Sequence, residues 1–580
     1  MSDNKQHSAN TESTDKNIQA AQPWSAGKKF GFRVLFILFL AMSIPFSGNW
    51  YTNVFQLNWL RPHYRDLYDI ARFQPSFVTL FGGQRGGDIT DAPAEKSGDK
   101  KGGKHKKQAN GISDKAKTAG VSGNKNNTTP GADVFPPERH WLLDYIDWGI
   151  ALLIGLVGGL IWTLFDRKSK SYPILYYWIR VVVRYRAGIG IIGFGFTKLF
   201  PTQMPYPSLG LLNTNFGDFT TQKIYWLSVG IVPWYQVFGG IVEIVAGTLL
   251  FFRRTTTYGA ILLAAALGDI TFVNYAYDGG VHVYAFYFVL LSLFLIADDV
   301  PGLYNLLIRE KYTVPFKVYP DFKKPWLRYT RIGLKALTFI IFFGVLTYTE
   351  VINFKYDPYK QPATAGVKKL RGNYRVTEFK VNGKDIPYNP LDTTRWQEAT
   401  FENWTTLTFR VNKPVQIDPS NGGGSPMRDL QRTFEISGVA GGQRAYYYYA
   451  DTIDKVLYLQ DKNAVAARGG ARGGRRGGNE SKADKPKKDN WISKTALAHI
   501  GDENHMIDKR AWSARRDREF AVPPRESKRN KMTLTYDTQD GSRVILSGIN
   551  EKKDSIYVVL DRYERKYVLP KSTLVAGKYN

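Results

Sequence analysis

This chain of 580 residues contains no cysteine. The absence excludes disulfides, thiolate nucleophiles, Fe–S ligation and Cys-x-x-Cys redox relays together. It leaves the compartment open, because disulfide-free proteins occur on both sides of bacterial membranes. Histidine is scarce too, with 7 residues, and only His282 touches a hydrophobic core segment, at its outer edge. A bis-His haem is thereby excluded, no metal is assigned, and His282 reads as an interfacial hydrogen-bonding residue.

What the chain does have is segregated. Hydrophobic residues make up 43% and aromatics 14%, yet mean hydropathy is only −0.31. Some windows are almost wholly apolar and others are rich in Lys, Arg and Gly. The net charge of +28 would ordinarily suggest nucleic acid, so where the cations lie relative to a membrane decides the matter.

Crossing ~30 Å of hydrocarbon takes roughly 20 residues. Seven stretches qualify as candidates: Phe32–Phe46, Asp144–Phe165, Ile174–Leu199, Val229–Phe252, Tyr258–Tyr277, Val281–Ala297 and Ile332–Thr349. The first follows Lys28 and Lys29 and lacks a small-x-small cleavage site, which reads as an uncleaved anchor. Cations flank the spans at Lys28, Lys29 and Arg33, at Arg167, Lys168 and Lys170, at Arg253 and Arg254, and from Arg309 to Arg331. All four clusters fall on one side if the N-terminus is cytoplasmic.

The expected order is a disordered cytoplasmic tail (1–29), a first span (30–47), an extracytoplasmic loop (48–140) and a second span (141–166). A four-helix unit (172–307), a basic cytoplasmic linker (308–331), a seventh span (332–350) and an extracytoplasmic β-domain (366–580) follow. The expected fold class is therefore a multi-pass α-helical protein of the bacterial inner membrane with a C-terminal antiparallel β-barrel.

Two low-complexity inserts, 82–133 and about 464–490, lack periodic apolar residues and are expected to be disordered. RGG runs like those in the second bind RNA where they meet it. On the extracytoplasmic side RNA is not the expected polyanion, so nucleic acid is not a predicted partner. From about Gly366 short alternating runs appear: "GNYRVTEFKVNG", "EATFENWTTLTFRV", "LQRTFEIS", "AYYYYADTID", "KVLYLQD", "MTLTYDTQDG", "RVILSGI", "SIYVVLDRY" and "KYVLP". Eight or nine such strands, with hairpin signals at Asn382-Gly383 and Asp540-Gly541, suggest a small closed barrel. Tyr446 to Tyr449 reads as a strand with rings on both faces, ahead of an aromatic wall for a ligand.

The stretch "RYRAGIGIIGFGFTKLFP" contains Gly188, Gly190 and Gly193 in the pattern G-x-G-x-x-G. A dinucleotide fingerprint needs a strand before it and an acid about 20 residues on; here the glycines lie inside one apolar span and read as helix-packing residues. Ionisable groups in such a span are costly and face partners. Arg184 and Arg186, Glu243 on the stripe Gln236, Gly240, Glu243 and Gly247, and Asp269 on the next helix would lie at similar depth if the helices are antiparallel neighbours. Glu243 and Arg186 are the expected central pair, with Asp269 in support. Lys198, Gln203, Asn274, Asp278 and His282 edge the site, and Arg180 is expected at the interface. A network that only sets helix register and a working site both remain open readings. No catalytic residue is assigned.

The segments "GFGFTKLFPTQ", "YQVFGGIVEIVAGTLLFFRRTTTYGAILLAAALGDITFVNYAYD" and "FLIADD" resemble the DoxX/DoxD-like integral membrane family, over Ile174 to about Leu307. The resemblance implies a four-helix membrane bundle. Some members are subunits of quinone-linked or redox-defence complexes. Positions matching the pattern are Lys198, Gln203, Glu243, Arg253, Arg254 and Asp278, while His282 stands where related sequences tend to carry a basic residue. Gly372-x-Tyr374 and the Tyr-rich strand running into Asp451 resemble a lipocalin-type (calycin) barrel.

The functional expectation is a non-haem membrane subunit or accessory factor of an envelope redox or assembly complex, not a self-contained enzyme. Its partners would be the lipid bilayer and other membrane or envelope proteins. A membrane-anchored binding protein whose barrel holds a lipophilic small molecule is the alternative, and a quinone-linked oxidoreductase subunit the third. Quinone is the one cofactor left open.

Overall fold

A computed structural model describes residues 23–73, 75–78, 144–313, 318, 320, 322, 324–463, 491–521 and 529–579. The two low-complexity inserts, and the N-terminal tail up to residue 22, lie outside the described residues.

The N-terminal part is helical: α1 (Ala26–Ser43), α2 (Gly48–Gln56), α3 (Tyr64–Ala71), α4 (Ile146–Phe165), α5 (Pro173–Leu199), the short α6 (Leu209–Leu212), α7 (Thr221–Gly230), α8 (Pro233–Leu250), α9 (Thr256–Ala276), α10 (His282–Ile296) and α11 (Val300–Leu307), then α12 (Pro325–Tyr356). Three of these, α4, α9 and α12, are long and apolar enough to cross a membrane. The number rises to five if the bent pairs α7–α8, at 91°, and α10–α11, at 73°, are each one span. By this measure α1 and α5 do not count, since Lys28, Lys29 and Arg33 in one and Arg180, Arg184 and Arg186 in the other carry charge into the apolar run. The stretch Gly48–Ala71, expected as loop, holds α2 and α3. The last span does not begin after the linker: α12 starts at Pro325 and passes through a π-helical segment, Ile340–Val345.

Close helix approach depends on small residues. A Cβ on Gly155 would meet Val34 O at 3.0 Å, and one on Gly159 would meet Val34 Cγ2 at 2.7 Å, so α1 and α4 touch through a glycine face. The opposite face of α4 exposes Leu152, Leu153, Leu156 and Leu160. Leucines exposed along a whole helix form an apolar face of the kind that meets a membrane or another protein.

The C-terminal part is an antiparallel barrel: β1 (Gly372–Val381), β2 (Lys384–Asp385), β3 (Glu398–Phe401), β4 (Thr406–Arg410), β5 (Gln443–Asp451), β6 (Val456–Asp461), β7 (Lys531–Asp537), β8 (Arg543–Ile549) and β9 (Ser555–Tyr563). Strands pair in the order β1-β3-β4-β5-β6-β7-β8-β9, and β9 returns to β1, closing eight strands; β2 pairs with β1 alone. Asn382 and Gly383 both have positive φ, 50° and 78°, the type I′ geometry that suits a tight hairpin. Three short helices accompany the barrel: α13 (Lys494–Ile500), α14 (Glu503–Met506) and α15 (Ala514–Ala521).

The period-2 pattern of the strands sends alternate residues inward. Tyr446 and Tyr448 enter the barrel core, whereas Tyr449 packs outside against Ile492, Ala496 and Ile500. The axis is filled by rings: Trp396 stacks on Phe409 at 3.9 Å, and Phe409 on Tyr446 at 5.5 Å. Tyr374 is fully buried at one end, donates to Leu370 O at 2.7 Å, and carries Arg562 over its ring at 5.4 Å.

Two expected strands do not form. Within "LQRTFEIS", Arg432 and Glu435 are buried in ion pairs and Phe434 packs with Leu211 and Val439, so the alternation serves an interface and not a ladder. Within "KYVLP", Tyr567 donates to Asn213 at 2.8 Å, and Pro570 O accepts from Tyr206 at 3.0 Å. Both segments lie between the barrel and the helical part.

Candidate functional site

The sequence-predicted charged site lies where α5 meets α8. Their backbones approach closely because Gly195 and Gly240 face each other: a Cβ on Gly195 would come 3.0 Å from Gly240 O, and one on Gly240 2.6 Å from Gly195 O. At this crossing Lys198 Nζ meets Glu243 Oε1 at 2.5 Å, with the two side chains 14% and 2% exposed. Among the described residues, Glu243 Oε2 is buried without a hydrogen-bond partner, as is Gln203 Oε1 nearby in sequence to Lys198. Gln236, two turns before Glu243, spends its amide on both backbone groups of Met204 at 3.0 and 3.1 Å. Among the described residues the carboxylate thus has one oxygen committed to an ammonium and one unpartnered.

The expected Arg186–Glu243 pair is not formed. Arg186 instead donates to Ala71 O at 3.0 Å and Phe73 O at 2.5 Å, with Phe73, Tyr287 and Phe288 rings around it at 4.0, 5.1 and 5.8 Å. It caps the C-terminal end of α3, whose last carbonyls have no helical partner. Arg184 donates Nε to Leu250 O at 2.8 Å and so caps α8. Both guanidiniums answer helix C-termini, which a sequence pattern does not display as charge. Asp269 is exposed on α9.

The remaining predicted edge residues scatter. Asn274 is buried and donates to Ile270 O at 2.7 Å within its own helix. Asp278 is exposed in a left-handed turn, φ 53°. His282 is buried at the start of α10 and faces Asp144 at 3.5 Å. Arg180 reaches Asp299 at 3.7 Å and Asp298 at 4.0 Å.

A second, larger polar centre, which the sequence pattern does not mark, joins the helical part to the barrel. Asp357, directly after α12, takes Arg432 on Oδ1 at 2.5 Å and Arg516 on Oδ2 at 2.9 Å; all three are at most 1% exposed. Burial alone would raise the Asp357 carboxyl, but Arg432 and Arg516 outweigh it and hold the group well below the usual carboxylate range. Arg432 also donates to the carbonyls of Pro358 and Gln361, both at 2.7 Å. Lys462 Nζ carries the network onward, 2.9 Å from Arg432 O and 2.9 Å from Glu435. On the α3 side, Arg515 reaches Asp69 at 2.8 Å and Asp66 at 3.5 Å. A further clamp is Glu402, whose two oxygens accept the N–H groups of Leu209 and Gly210 at 2.9 and 2.7 Å. Burial pushes the Glu402 carboxyl up to about 7, against those two hydrogen bonds.

Ser425, His63 and Asp357 have the residue types of a nucleophilic triad but not its wiring. Ser425 Oγ donates to Asp357 at 2.7 Å and lies 3.4 Å from His63 Nε2, while His63 Nδ1 accepts the Arg65 N–H at 3.2 Å. In a working triad the acid would hold the imidazole and the imidazole would take the serine proton. Here the serine gives its proton toward the carboxylate, both side chains are buried, and burial drives His63 well below its ordinary value, so it stays neutral. The arrangement is a lock.

Among the described residues one group has metal-ligand types together: Asp451, Asp454 and His499, whose ligand atoms lie within 4.8 Å of one another. His499 Nδ1 sits 2.8 Å from Asp451, a hydrogen bond that helps to dock α13 on β5 beside the apolar contacts of Tyr449. No protein-family model, curated protein or solved structure matches this chain.

Proposed function

We propose that the protein is a DoxX-like membrane subunit or accessory factor of an envelope redox or assembly complex, with its barrel on the extracytoplasmic side. The reading rests on one observation above the others: an ion pair, Lys198–Glu243, buried where α5 crosses α8, with Glu243 Oε2 left unpartnered. Ionisable groups at such a place are retained for a reason, and packing alone would be served by an apolar pair. The charge site belongs to the segment that resembles the DoxX-like family. The barrel contributes a rigid platform, since rings fill its axis and buried ion pairs fasten it to the bundle. The lipophilic-ligand reading of the barrel therefore has no observation in its favour.

The test is a gentle-detergent pulldown from native membranes, comparing wild type with Glu243→Gln. Normal protein level with loss of co-purified envelope proteins supports a working bundle. An unchanged partner set, or no partner in wild type, overturns it. Solvent extraction of the same material for stoichiometric quinone decides whether the complex is quinone-linked.

A further inference from the structure

Outside the charged core, the segment between α1 and α3 carries apolar side chains that nothing among the described residues covers. Phe55 is 85% exposed and Leu60 92%, with Trp59 at 54% and Tyr51 at 43%. Tyr51 and Phe55 stand one turn apart on α2, and Trp59 and Leu60 form the tip beyond it. The tip is not a loose end: Asn58 Oδ1 accepts the Leu60 N–H at 3.0 Å, and Arg61 O accepts from Ala514 at 3.1 Å. The chain holds these side chains outward.

Where this strip lies follows from a series of contacts. Trp50 Nε1 donates to Ile70 O at 2.9 Å, clipping α2 to α3. On α3, Tyr68 packs against Phe194 at 5.3 Å, beside Gly193 in the C-terminal half of α5. The C-terminal end of α3 is capped by Arg186 from the same helix. The strip consequently occupies the flank of the helical bundle at the end that carries the barrel. It continues the exposed apolar surface of Ile44 and Phe46 just before α2. Two arginines border it: Arg61, paired with Asp517 at 3.0 Å, and Arg518, which donates to Gln56 O at 3.4 Å.

We propose that the Tyr51–Phe55–Trp59–Leu60 strip seats in the headgroup and upper acyl region of the bilayer. A Trp/Tyr/Phe/Leu face interrupted by Asn53, Gln56 and Asn58 and edged by Arg suits that zone, where amphipathic rings and guanidiniums find both apolar and phosphate surroundings. Hydrocarbon depth would leave the amides unsatisfied, and bulk water would leave the rings bare. The proposal rests on the reading that the helices cross a membrane. In it the intramembrane Arg186 acts as a positioning residue: by capping α3 it fixes the height of the strip.

The absence of cysteine makes the test clean, because each introduced cysteine is the chain's unique thiol. Full-length Phe55→Cys, Leu60→Cys, Leu160→Cys and Tyr388→Cys are spin-labelled in phosphatidylglycerol-containing nanodiscs. Accessibility to oxygen, which favours lipid, and to a water-soluble nickel chelate is then compared. Position 160, on the exposed face of α4, reports the membrane reading, and position 388, 67% exposed on the barrel part, reports water. Labels at 55 and 60 should show an oxygen-to-nickel ratio several-fold above that at 388 and below that at 160. Water-like behaviour at 160 overturns the membrane reading itself. A lipid-like 160 with 55 and 60 matching 388 overturns only the strip. Shielding of 55 and 60 from both reagents means that protein covers them, and overturns it as well.

Discussion

Arg432 Nη2 and Asp357 Oδ1 lie 2.5 Å apart, and at 0% and 1% exposure neither reaches solvent. One residue ends the last long helix and the other sits on a barrel loop, so this contact makes the two halves one body. Removing the carboxylate leaves two buried guanidiniums, Arg432 and Arg516, facing each other. Asp357→Ala should lower stability by about 3–5 kcal/mol, the cost of breaking a buried pair from one side. Thermal unfolding followed by tryptophan fluorescence checks the size, and limited proteolysis should release the barrel as a separate fragment. A variant that unfolds like wild type would mean the pair is not the fastening.

The Glu402 clamp makes the same junction pH-dependent. Its carboxyl is raised from 4.5 to about 7 by burial. The folded state therefore binds the proton more tightly than the unfolded state, and stability is lost as pH climbs from 4.5 toward 7. The full effect is about 3 kcal/mol at most. Glu402→Gln removes the titrating group while giving up one acceptor, so its melting temperature should fall less than wild type's between pH 4.5 and pH 8. Parallel melting curves across that range would refute the assignment.

Arg186→Met keeps an apolar body but strands the carbonyls of Ala71 and Phe73. The expected cost is about 2 kcal/mol, typical of buried groups left without a partner. Hydrogen exchange should rise first in Tyr64–Ala71, because that helix loses its C-terminal cap. Arg186→Lys should restore little, since one ammonium cannot replace a fork that serves two carbonyls.

Gly240→Ala places a methyl 2.6 Å from Gly195 O and Leu199 N, backbone atoms that cannot swing aside. Destabilisation of about 1–3 kcal/mol is expected from such overpacking. The neighbouring Gly239 is the control, because its Cβ would meet only Lys198 Cδ at 3.9 Å. Equal effects at the two positions would argue against a close α5–α8 crossing.

Much of the helical and strand pattern is legible in the sequence because it rests on local periodicity. The seven hydrophobic stretches lie largely within helices, and seven of the nine alternating runs contain strands. The misread runs, "LQRTFEIS" and "KYVLP", alternate for another reason: their apolar and charged residues answer two different surfaces. The glycines of the G-x-G-x-x-G stretch are helix-contact residues, as their membrane-like context implies, with Gly188 against Gly247 O at 3.0 Å and Gly190 against Phe288. Charge partners were less legible, because a guanidinium can satisfy a backbone carbonyl as well as a carboxylate.

The sequence by itself determined the composition-level facts: no thiol chemistry, long apolar helices, charge carried into α5, and a barrel's alternating strands. Tertiary structure alone decided that Lys198 and not Arg186 meets Glu243, that both core arginines cap helices, and that Asp357 binds the barrel to the bundle. The physical reason is range. Periodicity is written between neighbours a few residues apart, whereas a buried charge chooses among groups brought together from 45 to 159 positions away, and that choice exists only once the chain has packed.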